Sequence, residues 1–292
     1  MTQHIKSKNL RLSARETALI AVFAALIAIV TRLPGIPISL GIQTGNIEFS
    51  VPLYPLAGIL LGPWIGAFTV LIGNFIAWII PTSSVIGLLL IPAGAFAALC
   101  AGFLVRRTRW ANWKTAAVLL IVLIALWYVT PIGLEAPLYP FFLHVPALIL
   151  ILIFRHKIFD FINSASKRLV TLGIGIASFA GVMSDHMWGN VMYVTALQFV
   201  ADMKTIRDFL RSIGMTIGLG FSASNPMPDW VHQMVTDPTL GDFFMLSIPI
   251  AAVERIVFTI VATVVGVGVI MTLGKLFFTS PETQVKTKEK EN

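Results

Sequence analysis

The chain of 292 residues is 57% hydrophobic and 12% charged, with a mean hydropathy of +0.85. Soluble domains carry about 25% charged residues, so this composition excludes an ordinary water-soluble protein and indicates a chain within a lipid bilayer. The net charge of +7 does not indicate nucleic-acid binding, because the basic residues fall in short runs between apolar segments. The single cysteine, Cys100, excludes an intrachain disulfide and a thiolate metal cluster.

Apolar runs recur along the sequence and predict an all-α, polytopic transmembrane bundle of about eight spans, within one membrane domain at 1–279. Because the basic clusters all fall on one side of these spans, both termini are expected in the cytoplasm and the protein in the cell membrane. The Lys- and Glu-rich end, 280–292, is expected to be a disordered tail. The predicted helices cover 14–31, 51–61, 64–80, 85–105, 115–129, 141–154, 169–197 and 245–273.

Two connections are expected to be more than simple turns. Residues 36–50 mix glycine, asparagine and glutamate with alternating apolar residues, which predicts an outer loop or a short re-entrant hairpin. The long outer segment at 200–244 is predicted to contain an amphipathic helix, because Ile206, Phe209, Leu210 and Ile213 share one helical face. Anchoring on the bilayer and closing as a lid over a pocket are both open roles for this helix.

Several stretches resemble the substrate-binding S components of energy-coupling factor (ECF) transporters. They are RETALIA at 15–21, the polar loop at 36–50, LAGILLGPWIGA at 56–67 and Gly73-Asn74, and the last helix is similar in placing Pro249 before Glu254-Arg255. The resemblance implies a subunit that captures a vitamin or related micronutrient from outside and docks onto a transmembrane coupling subunit with two ATPases. The chain lacks a GxxxxGK[ST] phosphate loop, and no catalytic residue, cofactor or resident metal is expected of it.

The resemblance also assigns roles to two parts of the chain. Members of the family usually have six helices, so the helical pair at 115–157 is interpreted as an insertion into a six-helix core. In the family, small residues of helix one bind the coupling subunit, which here implies Ala21 and Ala25, or Ala24 and Ala28 in the other register. The expected partners are therefore the solute, the coupling subunit, the two ATPases and the lipid bilayer.

Polar side chains within the apolar runs are candidates for solute binding, because they are costly in hydrocarbon without a cavity or a partner. Asn74 and Trp78 lie one helical turn apart, where an amide and an indole could bind and stack a flat heterocycle. The richest cluster falls in the seventh predicted span, and a charged pair falls in the last. The complete candidate set is Asn46, Glu48, Asn74, Trp78, Asp185, His186, Trp188, Asn190, Glu254 and Arg255.

Each candidate also has a purely structural interpretation. Asn74 could form a hydrogen bond between helices, and the cluster in the seventh span could be a satisfied polar network. Asp185 and His186 could instead bind a divalent metal, although adjacent residues point about 100 degrees apart on a helix. Arg255 could clamp a carboxylate or phosphate of the solute, or form a salt bridge with Asp185 or Glu254.

Two other classes of protein are weighed against a transport subunit. A membrane-embedded enzyme could use Asp185, His186, His144, Glu254 or Ser222, but the sequence contains no HExxH, no paired aspartates on a helix and no complete nucleophile motif. A stand-alone secondary transporter or channel would tend to contain inverted repeats with broken helices, and no clear internal repeat is seen.

Overall fold

The computed structural model describes residues 14–33, 36–39, 44–80, 85–200, 203–218, 220, 222 and 226–278. This part of the chain is almost entirely helical, with one short β-hairpin near the amino terminus. The elements in chain order are α1 (Ala14–Thr31), β1 (Ile36–Ser39), β2 (Thr44–Ile47), α2 (Leu53–Leu61), α3 (Pro63–Ile79), α4 (Val85–Leu104), α5 (Trp113–Val129), α6 (Pro131–Glu135), α7 (Tyr139–Phe154), α8 (Ile158–Ile162), α9 (Lys167–Val200), α10 (Met203–Gly218), α11 (Asp229–Thr236) and α12 (Leu240–Phe278).

Each helix expected from an apolar run is present, with ends that differ from the prediction by a few residues. The largest difference is in α12, which begins at Leu240 and ends at Phe278, whereas the run predicts 245–273. Three short helices, α6, α8 and α11, were not predicted. Helices of five to eight residues within polar connections contain too few turns to give a periodic apolar pattern.

Several of these helices are apolar enough to cross a membrane. Among the described residues, three are also long enough, over Gly87–Leu104, Lys167–Ala196 and Leu240–Thr272. Four shorter apolar helices cover Glu16–Thr31, Pro63–Ile79, Trp113–Val129 and Tyr139–Phe154. These lengths indicate a membrane protein, while the count of about eight spans and the cytoplasmic position of both termini stay predictions. The expected tail at 280–292 lies outside the described residues.

Helix α4 lies at the centre of the amino-terminal half, where it contacts α2, α3, α5 and α9. Its close approach to α2 requires a glycine, because a Cβ on Gly58 would overlap the backbone carbonyl of Ala98. Helices α2 and α3 are separated by Gly62, whose φ of 90° lies in the left-handed region. Pro63 then occupies the first position of α3, so the Gly-Pro break expected from the sequence is present.

The helical pair that the sequence analysis interprets as an insertion is an integral part of the bundle. Helix α5 contacts α4, α7 and α9, and α7 contacts α9 and α12. A buried aromatic cluster joins these elements: the Trp127 ring of α5 stacks on Tyr139 of α7 at 4.9 Å between centroids. Phe244 of α12 meets the edge of Trp127 at 5.2 Å. Helices α5 and α7 therefore support the two long helices α9 and α12.

The long outer segment contains the expected amphipathic helix, which is α10. Leu210 is buried, whereas Lys204 and Arg207 are exposed. The side chains of Ile206 and Phe209, on the same predicted face as Leu210, lie outside the described part. Helix α10 contacts α11 and α12, and its role as a lid or as a bilayer anchor stays a prediction.

Candidate functional site

A cavity of about 600 Å³ lies between α1, α2, α3, α4, α9 and α12. This volume falls within the range of roughly 300–1,000 Å³ that is typical of small-molecule sites. Eight of the ten candidate residues line the cavity, namely Glu48, Asn74, Trp78, Asp185, His186, Asn190, Glu254 and Arg255. The fold therefore brings together side chains that are as much as 207 positions apart, the separation of Glu48 and Arg255.

Arg255 is the charged centre of the cavity wall. Its Nη1 lies 3.1 Å from Asp185 Oδ2 on α9, and its Nη2 lies 3.4 Å from Glu254 Oε2 on its own helix. The two salt bridges weighed from the sequence are thus both present. The Arg255 side chain is 13% exposed and those of Asp185 and Glu254 are 9% and 15% exposed. The guanidinium also lies 5.4 Å from the centre of the Phe258 ring, while its Nε has no hydrogen-bond partner within the described residues.

Asn74 brings an amide to the opposite side of the cavity. Its Nδ2 donates a long hydrogen bond of 3.4 Å to the carbonyl oxygen of Ile91 on α4. Its buried Oδ1 has no partner in the described part of the chain. Trp78, one turn later, also lines the cavity and stacks against Phe75 with 5.9 Å between ring centroids. A buried amide oxygen without a partner is costly, so a donor on a bound solute would stabilise it.

On α9, His186 and Asn190 act as a face pair, as their spacing predicts. Both line the cavity, and both contact the hydroxyl of Tyr139 in the insertion. Asn190 Nδ2 donates to Tyr139 Oη at 3.0 Å, and His186 Nε2 lies 3.5 Å from the same oxygen. Among the described residues, no group of three or more His, Cys, Asp or Glu side chains could hold a metal ion.

Trp188 does not line the cavity. Its indole Nε1 donates to the carbonyl oxygen of Leu89 at 3.2 Å, and its ring packs on Phe96 with 4.6 Å between centroids. Trp188 lies two positions after His186, and such a step turns a helix by about 200 degrees, which explains why the two side chains face different neighbours. Its inclusion in the candidate set is corrected by this geometry, and it joins α9 to α4 instead.

The first polar loop, expected to be an outer loop or a short re-entrant hairpin, contains a β-hairpin. Strands β1 and β2 pair in antiparallel register, with Pro37 opposite Asn46. The side chain of Asn46 lies outside the described residues, so its role stays a prediction. Glu48 follows β2 and lines the cavity. Loss of surrounding water raises the pKa of the Glu48 carboxyl, while the nearby charge of Arg255 acts in the opposite direction.

The candidate set left out several residues of the cavity wall, among them Arg32, Tyr54 and Tyr193. Tyr54 is buried, and its hydroxyl lies 2.9 Å from Ser50 Oγ. Arg32 follows α1 at the end opposite to the basic clusters. Membrane proteins place most Lys and Arg residues on the cytoplasmic side, so a cation at the other end of the helix is unusual. This departure could have identified Arg32 as a candidate from the sequence.

The structure separates the two small-residue registers of α1. Ala24 and Ala28 are buried within the chain, whereas Ala21 and Ala25 are exposed. Helix α1 packs along α3, and a Cβ on Gly73 of α3 would lie 2.9 Å from the carbonyl oxygen of Ala24. The inclusion of Ala24 and Ala28 as partner-binding residues is therefore corrected, because these side chains are already covered by the chain itself.

The comparisons with known proteins agree with the resemblance seen in the sequence. Residues 11–150 match the family model described as ECF-type riboflavin transporter, S component. Over this part, the chain is similar to ECF transporter S components, which confirms the resemblance. That family consists of transport subunits rather than enzymes, so the match favours a transport subunit over a membrane-embedded enzyme.

One curated relative is a protein of Methanocaldococcus jannaschii that is described as uncharacterised. It is 34% identical over 151 residues, which cover 51% of this chain and 49% of the relative. The chain thus spans about half the length of the curated relative that it matches. No solved structure matches the chain.

Proposed function

We propose that the chain is the solute-binding subunit of an ECF-type importer and that its cavity binds a flat heterocyclic vitamin of the riboflavin type. The observation that carries the proposal is the match of residues 11–150 to the riboflavin transporter S component. Much of the cavity wall, including Glu48, Tyr54, Asn74 and Trp78, lies within this matched part. The rest of the wall comes from α9 and α12, beyond the match.

The chemistry of the cavity supports this class of solute. Trp78 and Tyr54 offer aromatic surfaces on which a planar ring system can stack. The buried Oδ1 of Asn74 and the Nε of Arg255 are an acceptor and a donor without partners in the described part of the chain. A heterocycle with ring N–H and carbonyl groups would satisfy both kinds of atom, whereas a purely apolar solute would leave both unpaired.

The proposed transport step requires partners. We expect the solute to bind from outside among the loop after β2, Asn74, α9 and Arg255, with closure of the loop excluding water. An ATP-driven coupling subunit with two ATPases would then expose the site to the cytoplasm. Ala21 and Ala25 form the exposed small-residue register of α1, which suits close contact with a helix of that subunit.

Native mass spectrometry of the full chain, purified in detergent from cells that contain its partners, tests the proposal. The expected result is an adduct with the mass of a flavin or a closely related heterocycle, together with associated coupling and ATPase subunits. A bare chain that takes up no vitamin on incubation, and that drives solute uptake by itself in liposomes with an ion gradient, would favour the secondary-transporter alternative.

A further inference from the structure

The inserted helices reach the cavity through one hydroxyl group. Tyr139 is the first residue of α7 and is 2% exposed. Its hydroxyl accepts a hydrogen bond of 3.0 Å from Asn190 Nδ2 and lies 3.5 Å from His186 Nε2. Asn190 and His186 both line the cavity, whereas Tyr139 lies behind them. Tyr139 thus does not face the cavity itself but contacts two residues that do.

The ring that carries this hydroxyl is held on several sides. Tyr139 stacks on Trp127 of α5 at 4.9 Å between centroids, and it meets Phe244 of α12 edge to face at 5.6 Å. These contacts leave the ring little freedom to rotate, because each aromatic neighbour is itself buried. The position of the hydroxyl is therefore set by three helices, two of which belong to the insertion.

His186 is held by a second group from the same helix. The imidazole of His144 on α7 lies nearly parallel to that of His186, with 5.2 Å between centroids and 14° between planes. His144 is fully buried, and neither of its ring nitrogens has a hydrogen-bond partner in the described part of the chain. A buried imidazole without hydrogen bonds costs stability, so we take its ring contact with His186 as its role.

The insertion also fixes the start of α12. Glu135 Oε2 in α6 accepts a hydrogen bond of 3.0 Å from the backbone N–H of Gly241, in the first turn of α12. A Cβ on Gly241 would lie 2.6 Å from Glu135 Cβ, so the two segments are in close contact. The negative carboxylate at a helix amino terminus is a favourable arrangement. Helix α12 carries Arg255, which means that the insertion supports both polar walls of the cavity.

We propose that the insertion α5–α7 is the positioning element of the solute site, with Tyr139 as a specificity-determining residue that acts through Asn190 and His186. By accepting from Asn190 Nδ2, the Tyr139 hydroxyl fixes the amide so that its Oδ1 serves as the acceptor for a ring N–H of the solute. The identity of that solute rests on the proposed function. The site would thereby discriminate against heterocycles that are alkylated at this nitrogen.

The test compares Tyr139→Phe with Tyr128→Phe. Tyr128 also belongs to the insertion, but its hydroxyl donates to the carbonyl oxygen of Pro137 at 2.8 Å. Each variant removes one hydroxyl and keeps the ring, so both should fold. Riboflavin and an N3-methylated flavin serve as probes for titrations of the purified full chain. A second readout that needs no ligand is the ¹⁵N spectrum of the histidine side chains, assigned with His186→Gln and His144→Gln.

We expect Tyr139→Phe to weaken riboflavin binding by about three- to tenfold, the effect of one hydrogen bond, and to narrow the preference for riboflavin over the methylated probe. The loss should vanish in an Asn190→Ala background, because Tyr139 acts through that amide. The signals of His186 should shift in Tyr139→Phe and stay unchanged in Tyr128→Phe.

Equal affinities of the wild type and Tyr139→Phe, or unchanged His186 signals, would overturn the inference. A wild-type chain that binds no flavin would instead count against the proposed solute. The histidine signals would still decide whether Tyr139 positions the cavity wall, so the two failures can be told apart.

Discussion

The guanidinium of Arg255 on α12 and the carboxylate of Asp185 on α9 form a nearly buried ion pair, with 3.1 Å between Nη1 and Oδ2. The pair joins two long helices, and its two residues lie 70 positions apart in the sequence. Glu254 also contacts Arg255, so this one cation faces two carboxylates at close range. Because one cation serves two carboxylates, loss of the Arg255 charge should lower the stability of the fold more than loss of the Asp185 charge.

Arg255→Gln should destabilise the protein more than Asp185→Asn. The first variant leaves Asp185 and Glu254 without their cation, which costs about 3–5 kcal/mol for a buried pair. The second loses a charge-assisted hydrogen bond, but Arg255 keeps Glu254 as its partner, so we expect a cost below about 2 kcal/mol. Thermal unfolding in detergent measures both. An Asp185→Asn variant that melts at or below the temperature of Arg255→Gln would contradict this account of the ion pair.

Gly73→Ala should destabilise the contact between α1 and α3. The added methyl group would lie 2.8 Å from Ile27 Cβ and 2.9 Å from the carbonyl oxygen of Ala24, and overpacking of this kind costs about 1–3 kcal/mol. Gly268→Ala in α12 is the matched control, because a Cβ at that position meets no atom within 4 Å. It should leave stability unchanged or raise it by about 0.5–1 kcal/mol. Similar melting temperatures for the two variants would show that the helices do not approach as described.

Leucine at Ala21 and Ala25 should separate solute binding from transport. Both side chains are exposed on α1, so the folded chain should accept the larger residues and retain its affinity for the solute. Uptake in vesicles that contain the coupling and ATPase subunits should fall by at least about tenfold, since helices at such a face pack closely. Ala24→Leu, at a buried position, should instead lower stability. A double variant that transports normally would exclude this face as the docking surface.

Cysteine labelling should place the two ends of α5 on opposite sides of the membrane. Cys100 is buried and should not react with a membrane-impermeant maleimide, so single cysteines can be introduced into the native chain. Arg109 precedes α5, Leu138 follows α6 in the connection to α7, and both side chains are exposed. We expect Leu138→Cys to be labelled from outside intact cells and Arg109→Cys only after permeabilisation. Labelling of both from outside would refute the topology of about eight spans.

The sequence was sufficient for most of the fold and for much of the candidate site. Long apolar runs locate helices well, and polar residues such as Asn74 and Arg255 stand out within them because hydrocarbon does not tolerate them alone. The contribution of Tyr139 could not be foreseen, since aromatic residues near membrane interfaces are common and its partners on α9 are about 50 positions away.

Trp188 is the opposite case, a residue that the sequence pattern includes in the candidate site although its side chain does not line the cavity. It lies among five cavity residues on α9, yet its own side chain contacts Leu89 and Phe96 on α4. The direction of a side chain on a helix depends on the rotation of that helix within the bundle. A single sequence with apolar residues around most of the helix does not fix this rotation.

The most direct measurement of the central claim is a titration of the purified wild-type chain with riboflavin, followed by the quenching of flavin fluorescence. We expect saturable binding with a Kd below about 1 µM. Asn74→Leu should weaken it about tenfold or more, since Oδ1 loses its role as an acceptor. Thr195→Val, on α9 with a hydroxyl that donates to the carbonyl oxygen of Val191 on the same helix, should bind as the wild type does. Absence of saturable binding up to about 1 mM, or equal affinities for all three proteins, would contradict a riboflavin-type solute in this cavity.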